Sequence, residues 1–104
     1  MGMDYIWSGS ASYGRFLKEM GEIAKIFGAQ VCETTEGAQY YMYYEYIPEI
    51  VLDWLDCPYD YFSPQRTKEI WEAVRQHPEI KEISWQIWNE LEKCVDFGDG
   101  WYIH

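Results

Sequence analysis

Residues 12–47, SYGRFLKEMGEIAKIFGAQVCETTEGAQYYMYYEYI, change their hydrophobic period partway along, and that change sets the fold class. In the first half Tyr13, Phe16, Leu17, Met20, Ile23, Ala24 and Phe27 recur at helical spacing. They form one apolar stripe opposite Arg15, Lys18, Glu19, Glu22 and Lys25. Ser12 or Ser10 is placed to cap this helix and Gly28 to stop it. Beyond Gly28 come two strand-like runs, 29–35 and 38–47, joined at Glu36-Gly37, where glycine supplies the positive φ of a tight reversal. The second run alternates Tyr40, Met42, Tyr44 and Tyr46 with Tyr41, Tyr43 and Glu45, so both of its faces carry rings.

Toward the N-terminus, Asp4 to Ser8 predicts a short aromatic strand, broken by the small residues of 8–12. Toward the C-terminus, Pro48 stands in the first turn of a short helix whose buried side is Ile47, Ile50, Val51, Trp54 and Leu55 and which must end before Pro58. Ser63-Pro64 predicts a capped helix to about Gln76, and Ile80, Ile83, Ile87, Trp88, Leu91, Cys94 and Val95 predict another from Glu79 to about Asp96. Residues 97–100 then turn the chain into a final strand, Trp101 to Ile103. The order β-α-β-β-α(α)(α)-β predicts an α+β fold: a small antiparallel sheet of about four strands with helices packed on it. This is a ferredoxin-like arrangement with helix inserted before the last strand. At 104 residues and 48% hydrophobic content, residues 1–104 are expected to form a single domain.

Eighteen acids against eight Lys and Arg leave a net charge of −10, which sets the chain against direct binding to nucleic-acid phosphates or anionic lipid. A basic protein is the complementary partner. Cys32, Cys57 and Cys94 are odd in number and widely spaced, which points to a reduced, cytoplasmic setting. No apolar run is long enough to predict a membrane span, and the N-terminus lacks a signal-peptide pattern.

The charge is concentrated. Between Lys25 and Arg66 stand Glu33, Glu36, Glu45, Glu49, Asp53, Asp56 and Asp60, with no basic residue among them. Glu49, Asp53 and Asp56 are spaced i, i+4 and i+7 and so share one side of their helix, with Glu45 and Asp60 near its ends. Tyrosines interleave with these acids. Tyr43, Tyr59 and Tyr61 are expected to anchor a partner through apolar area, while Glu45, Glu49, Asp53, Asp56 and Asp60 meet its Lys and Arg side chains.

Catalytic signals are thin by comparison. Gly9 to Phe16 has the outer glycines of a phosphate loop, but Arg15 stands where Lys belongs and Phe16 where a hydroxyl would hold Mg²⁺. His77 and His104 have no ligand partners at metal spacing, and Asp53, Asp56 and Asp60 do not follow a calcium-loop pattern. No catalytic, cofactor-binding or metal-binding residue is assigned. In size, charge and aromatic content alone the chain is similar to small acidic immunity proteins and to phage-encoded inhibitors of bacterial nucleases. The expected function is that of a non-enzymatic binding or inhibitor protein of unspecified oligomeric state. It would block a basic nucleic-acid-handling enzyme or toxin by imitating nucleic-acid charge. The alternative is a small-molecule-binding domain or enzyme with an aromatic-lined pocket.

Overall fold

The computed structural model describes residues 2–43 and 47–104, and the side chains of all of these except 31, 39–41 and 43. Chain entry differs from the expected aromatic strand at 4–8. Strand β1 (Gly2–Asp4) pairs antiparallel with β2 (Ser10–Ser12), so the small residues expected to break structure form a strand, and Tyr5 to Gly9 make the turn between the two. Gly9 has φ +81°, a value that L side chains rarely adopt.

Helix α1 (Tyr13–Ile26) begins where Ser12 Oγ accepts from Arg15 N–H at 3.2 Å. It buries Phe16, Met20, Ile23 and Ala24 as the stripe predicts, whereas Tyr13 and Leu17 at its N-terminal end stay exposed. Strands β3 (Ala29–Glu33) and β4 (Gln39–Tyr43) form the expected hairpin, in register from Ala29 opposite Tyr43 to Glu33 opposite Gln39. Gly37 makes its turn at φ +87°. Residues 44–46 of the predicted second strand lie outside the described residues.

Helix α2 (Glu49–Asp56) follows, with Pro48 at its N-cap, and buries Val51, Trp54 and Leu55. Ser63 caps α3 (Pro64–Val74) by accepting from Arg66 N–H at 3.3 Å, with Pro64 in the first turn. The single helix expected over 79–96 is divided into α4 (Glu79–Ile83) and α5 (Trp85–Phe97). Ser84 sits between them in extended conformation and accepts from Ile87 N–H at 3.2 Å, so one hydroxyl starts the second helix where the first ends. The apolar spacing runs unbroken across this corner, which is why periodicity alone merges the two.

The α+β class stands, with small antiparallel pairings and helices packed on them. The strands, however, form two separate two-stranded ladders, β1–β2 and β3–β4, and among the described residues they do not join into one four-stranded ferredoxin-like sheet. The predicted C-terminal strand makes two single antiparallel bridges, Phe62 to Trp101 and Tyr5 to Ile103. One cluster of buried side chains connects these pieces, centred on Trp54, Trp101, Phe16, Ile23, Ile70, Ile87 and Leu91. Among the described residues no helix is long and apolar enough to cross a membrane.

Cys94 is the buried thiol of this core, donating to Gly100 O at 3.5 Å, whereas Cys32 and Cys57 are half-buried. Desolvation, reinforced by Glu90 and Asp99, pushes its pKa from 9.0 up to about 12. Burial and nearby Glu19 raise the Tyr5 hydroxyl in the same direction. Both acids release their protons less readily in the folded chain than in the unfolded one. Folding stability is therefore unaffected by these groups below pH 9.0 and falls as pH rises from there toward about 12. Urea midpoints measured from pH 8 to pH 11 are expected to drop across that interval, and Cys94→Ala is expected to flatten the decline. An equally steep decline in the variant would remove Cys94 as its source.

Candidate functional site

The last turn of α2 and the segment after it collect the acids. Glu49, Asp53 and Asp56 all stand on the exposed side of α2, opposite Val51, Trp54 and Leu55. Asp53, Asp56 and Asp60 line one open concavity of about 270 Å³, together with Cys57, Tyr61, Phe62 and Arg66. Glu49 lies one turn nearer the N-terminus of the helix and does not reach it. There its charge meets the positive end of the helix dipole, whereas Asp53 and Asp56 crowd the negative end, where the helix itself carries no basic residue. Like charges spaced four apart and acids at a helix C-terminus each cost a few tenths of a kcal/mol, so this arrangement is unfavourable for α2 on its own.

Arg66, one turn into α3, offsets part of it. Its guanidinium binds Asp53 Oδ2 at 3.0 Å and lies 5.1 Å from the centre of the Phe62 ring. Both partners are about half exposed, so the pair contributes little to stability. Its importance is positional, because it leaves Asp56 and Asp60 as the carboxylates of the concavity without an ion pair among the described residues. Half-burial and the adjacent Asp56 and Asp60 charges hold the Cys57 thiol above its ordinary pKa, and Cys57 Sγ donates to Asp56 Oδ2 at 3.8 Å. Cys57 in turn raises the Tyr59 hydroxyl. Neither group is an activated nucleophile or base. No group of three or more His, Cys, Asp or Glu among the described residues is arranged to hold a metal ion.

The anchors divide. Tyr61 is 59% exposed and stands beside the acids, as expected. Tyr59 is 50% exposed and does not line that concavity; it walls a neighbouring open groove of about 680 Å³ with Tyr13, Leu17 and Lys25 of α1, which Asp56 also borders. Glu45 and the side chain of Tyr43 lie outside the described residues.

Among the other exposed apolar residues, Ile6, Trp7, Phe97 and Tyr102 fall close to this surface without any signal in the local sequence pattern. Trp7 stacks on Phe97 with ring centres 4.5 Å apart and planes 19° from parallel. Tyr102 contacts Tyr61 edge-on at 6.4 Å. The two bridges explain this grouping. Phe62 and Trp101 pair with their side chains inward, so strand alternation sends their neighbours Tyr61 and Tyr102 outward. On the other side Tyr5 pairs with Ile103, and Asp4 and His104 exchange both backbone hydrogen bonds at 3.0 Å, which carries Ile6 outward beside Tyr102. Their partners lie about 40 to 100 positions away, and no local pattern announces such a row. No family model, curated protein or solved structure matches this chain.

Proposed function

We propose that the chain is a non-enzymatic, cytoplasmic binding protein that blocks a basic partner, a nucleic-acid-handling enzyme or a toxin, by offering carboxylates where phosphates would lie. The observation that carries this reading is the set of Asp53, Asp56 and Asp60 around one concavity, at the dipole-disfavoured end of α2, beside the exposed ring of Tyr61. A surface arranged for solubility alone gains nothing from placing acids where they oppose their own helix. A cationic partner relieves that repulsion, and tyrosine supplies apolar area at low entropic cost.

The reading predicts opposite signs for two measurements. Asp56→Asn with Asp60→Asn is expected to raise folding stability by about 0.5 kcal/mol, because repulsion near the end of α2 falls. The same pair is expected to weaken inhibition of a basic target about tenfold, mainly through slower association and a shallower salt dependence. The assay is inhibition of a panel of purified basic nucleases and polymerases at two salt concentrations, with urea unfolding alongside. No inhibition across the panel, or inhibition that the variant leaves intact, removes the proposal.

A further inference from the structure

The row of outward side chains on the two bridges borders a further, shallow and open cleft, separate from the acidic concavity except at Tyr61. It has a volume of about 500 Å³ and is lined by Ile6, Tyr61, Tyr102, Asp99 and Gly100. Two tyrosine rings set at 65° to one another form its walls, and among the described residues that line it Asp99 is the charged one. Gly100 is required for this shape: a Cβ there would stand 2.2 Å from Phe62 O and 2.9 Å from both Cε2 and the hydroxyl of Tyr61. The ring of Tyr61 thus lies over a position that only glycine vacates. Asp99 is held from behind, its N–H donating to Cys94 O at 2.7 Å beyond the end of α5, and its carboxylate has no hydrogen-bond partner or ion pair among the described residues.

We infer that the cleft bordered by Tyr61 and Tyr102 receives an arginine side chain of the partner, its guanidinium against the ring surfaces that face the cleft and its N–H groups on the Asp99 carboxylate. Aromatic faces attract cations through the ring quadrupole, and the planar guanidinium stacks on rings and bonds a carboxylate with two parallel N–H groups, which the compact lysine ammonium does not. The chain already satisfies one guanidinium in this way next door, where Arg66 lies over Phe62 and binds Asp53. The cleft repeats that pairing of ring and carboxylate, and the net charge of −10 favours a cation in both places. This inference rests on the reading of the chain as a binder of basic proteins and names the group that the aromatic end of its surface takes.

Two experiments separate the inference from that reading. In the first, Nα-acetyl-arginine amide is titrated into the isotopically labelled protein. The amide resonances of Asp99, Gly100 and Tyr102 are expected to move together, with Asp99→Asn weakening the response about tenfold and Tyr102→Leu comparably. Shifts confined to other residues, a response unchanged in Asp99→Asn, or an equal response to the lysine analogue each overturn the arginine cleft. In the second, Asp99→Asn is tested against whichever basic enzyme the wild-type protein inhibits, with its unfolding midpoint as the check on folding. Weakened inhibition at an unchanged midpoint supports the cleft, and full inhibition by Asp99→Asn overturns it while the acidic concavity keeps its role.

Discussion

Trp101→Ala is expected to remove about 3–5 kcal/mol of folding stability, the range for deleting a large aromatic side chain from a packed core. Trp101 is fully buried and meets Tyr5 and Trp54 edge-on, at 6.3 Å and 5.5 Å. Its indole N–H donates to Pro58 O at 2.6 Å, and its backbone N–H donates to Thr67 Oγ1 at 2.9 Å. Thr67, itself fully buried, donates its hydroxyl hydrogen bond to Phe62 O at 3.1 Å. One residue therefore ties the α2–α3 connection, the first turn of α3 and the bridge to Phe62 into a single body. A domain of this size has roughly 5–15 kcal/mol in total, so the loss takes a large part of it.

Trp101→Phe separates the two roles of the indole. It keeps a ring in the core and deletes the bond to Pro58 O, a carbonyl that positions Tyr59, Asp60 and Tyr61. A smaller loss, about 1–3 kcal/mol, is expected, for the deleted bond and the reduced ring. Faster amide exchange over residues 57–61 should accompany it. Urea unfolding of both variants, with exchange measured on the second, checks this. A Trp101→Ala loss under about 1 kcal/mol would contradict the packing described for Trp101.

The contrast between α1 and the aromatic row shows what a sequence of this kind discloses. Helix α1 is announced by its own residues, since Ser12, the stripe from Phe16 to Ala24 and Gly28 act within one or two turns of each other. Ser63-Pro64 announces α3 for the same reason. The acid spacing on α2 likewise reports a real shared side, because i, i+4 and i+7 are fixed by helix geometry alone. Arg66 was hidden from that reading because it acts across the α2–α3 connection, thirteen positions from Asp53. The number of strands in a sheet is a matter of pairing between distant segments, and here the segments at 62, 101 and 103 pair only by single bridges. Ser84 was invisible for a different reason: the corner it makes keeps the apolar residues of α4 and α5 in phase, so the pattern carries no mark of the break.

Glu90→Gln tests the least legible contact of all, a carboxylate inside the protein that, besides the Cys94 thiol one turn on, binds groups more than eighty positions away. Glu90 is fully buried on α5 and accepts Ile6 N–H on Oε2 at 3.0 Å, Trp7 N–H on Oε1 at 2.9 Å, and the Ser8 hydroxyl on Oε1 at 3.1 Å. From the same side of α5, Gln86 Nε2 donates to Ser8 O and Ser10 O at 2.9 Å each, and Asn89 Nδ2 donates to Ser8 Oγ at 2.9 Å. Arg15 closes the set by donating to Gln86 Oε1. The turn that presents Ile6 and Trp7 is therefore held by side chains at 86, 89 and 90, which on a helical wheel look like the polar border of an amphipathic helix. Substituting glutamine turns one carboxylate oxygen into a donor that faces a backbone N–H or the Ser8 hydroxyl. A cost of about 2–4 kcal/mol is expected, from the lost charge-assisted bonds and the stranded donor together. The loss should be accompanied by faster amide exchange at Ile6 and Trp7 and by a change in tryptophan fluorescence, because the Trp7–Phe97 stack depends on the same turn. The arginine cleft includes Ile6, so its response to Nα-acetyl-arginine amide is expected to weaken as well, though by less than in Asp99→Asn, which removes a charge from the cleft itself. Were Glu90→Gln to leave both the unfolding midpoint and the exchange of Ile6 and Trp7 unchanged, the turn would have to be held by Gln86 and Asn89 alone.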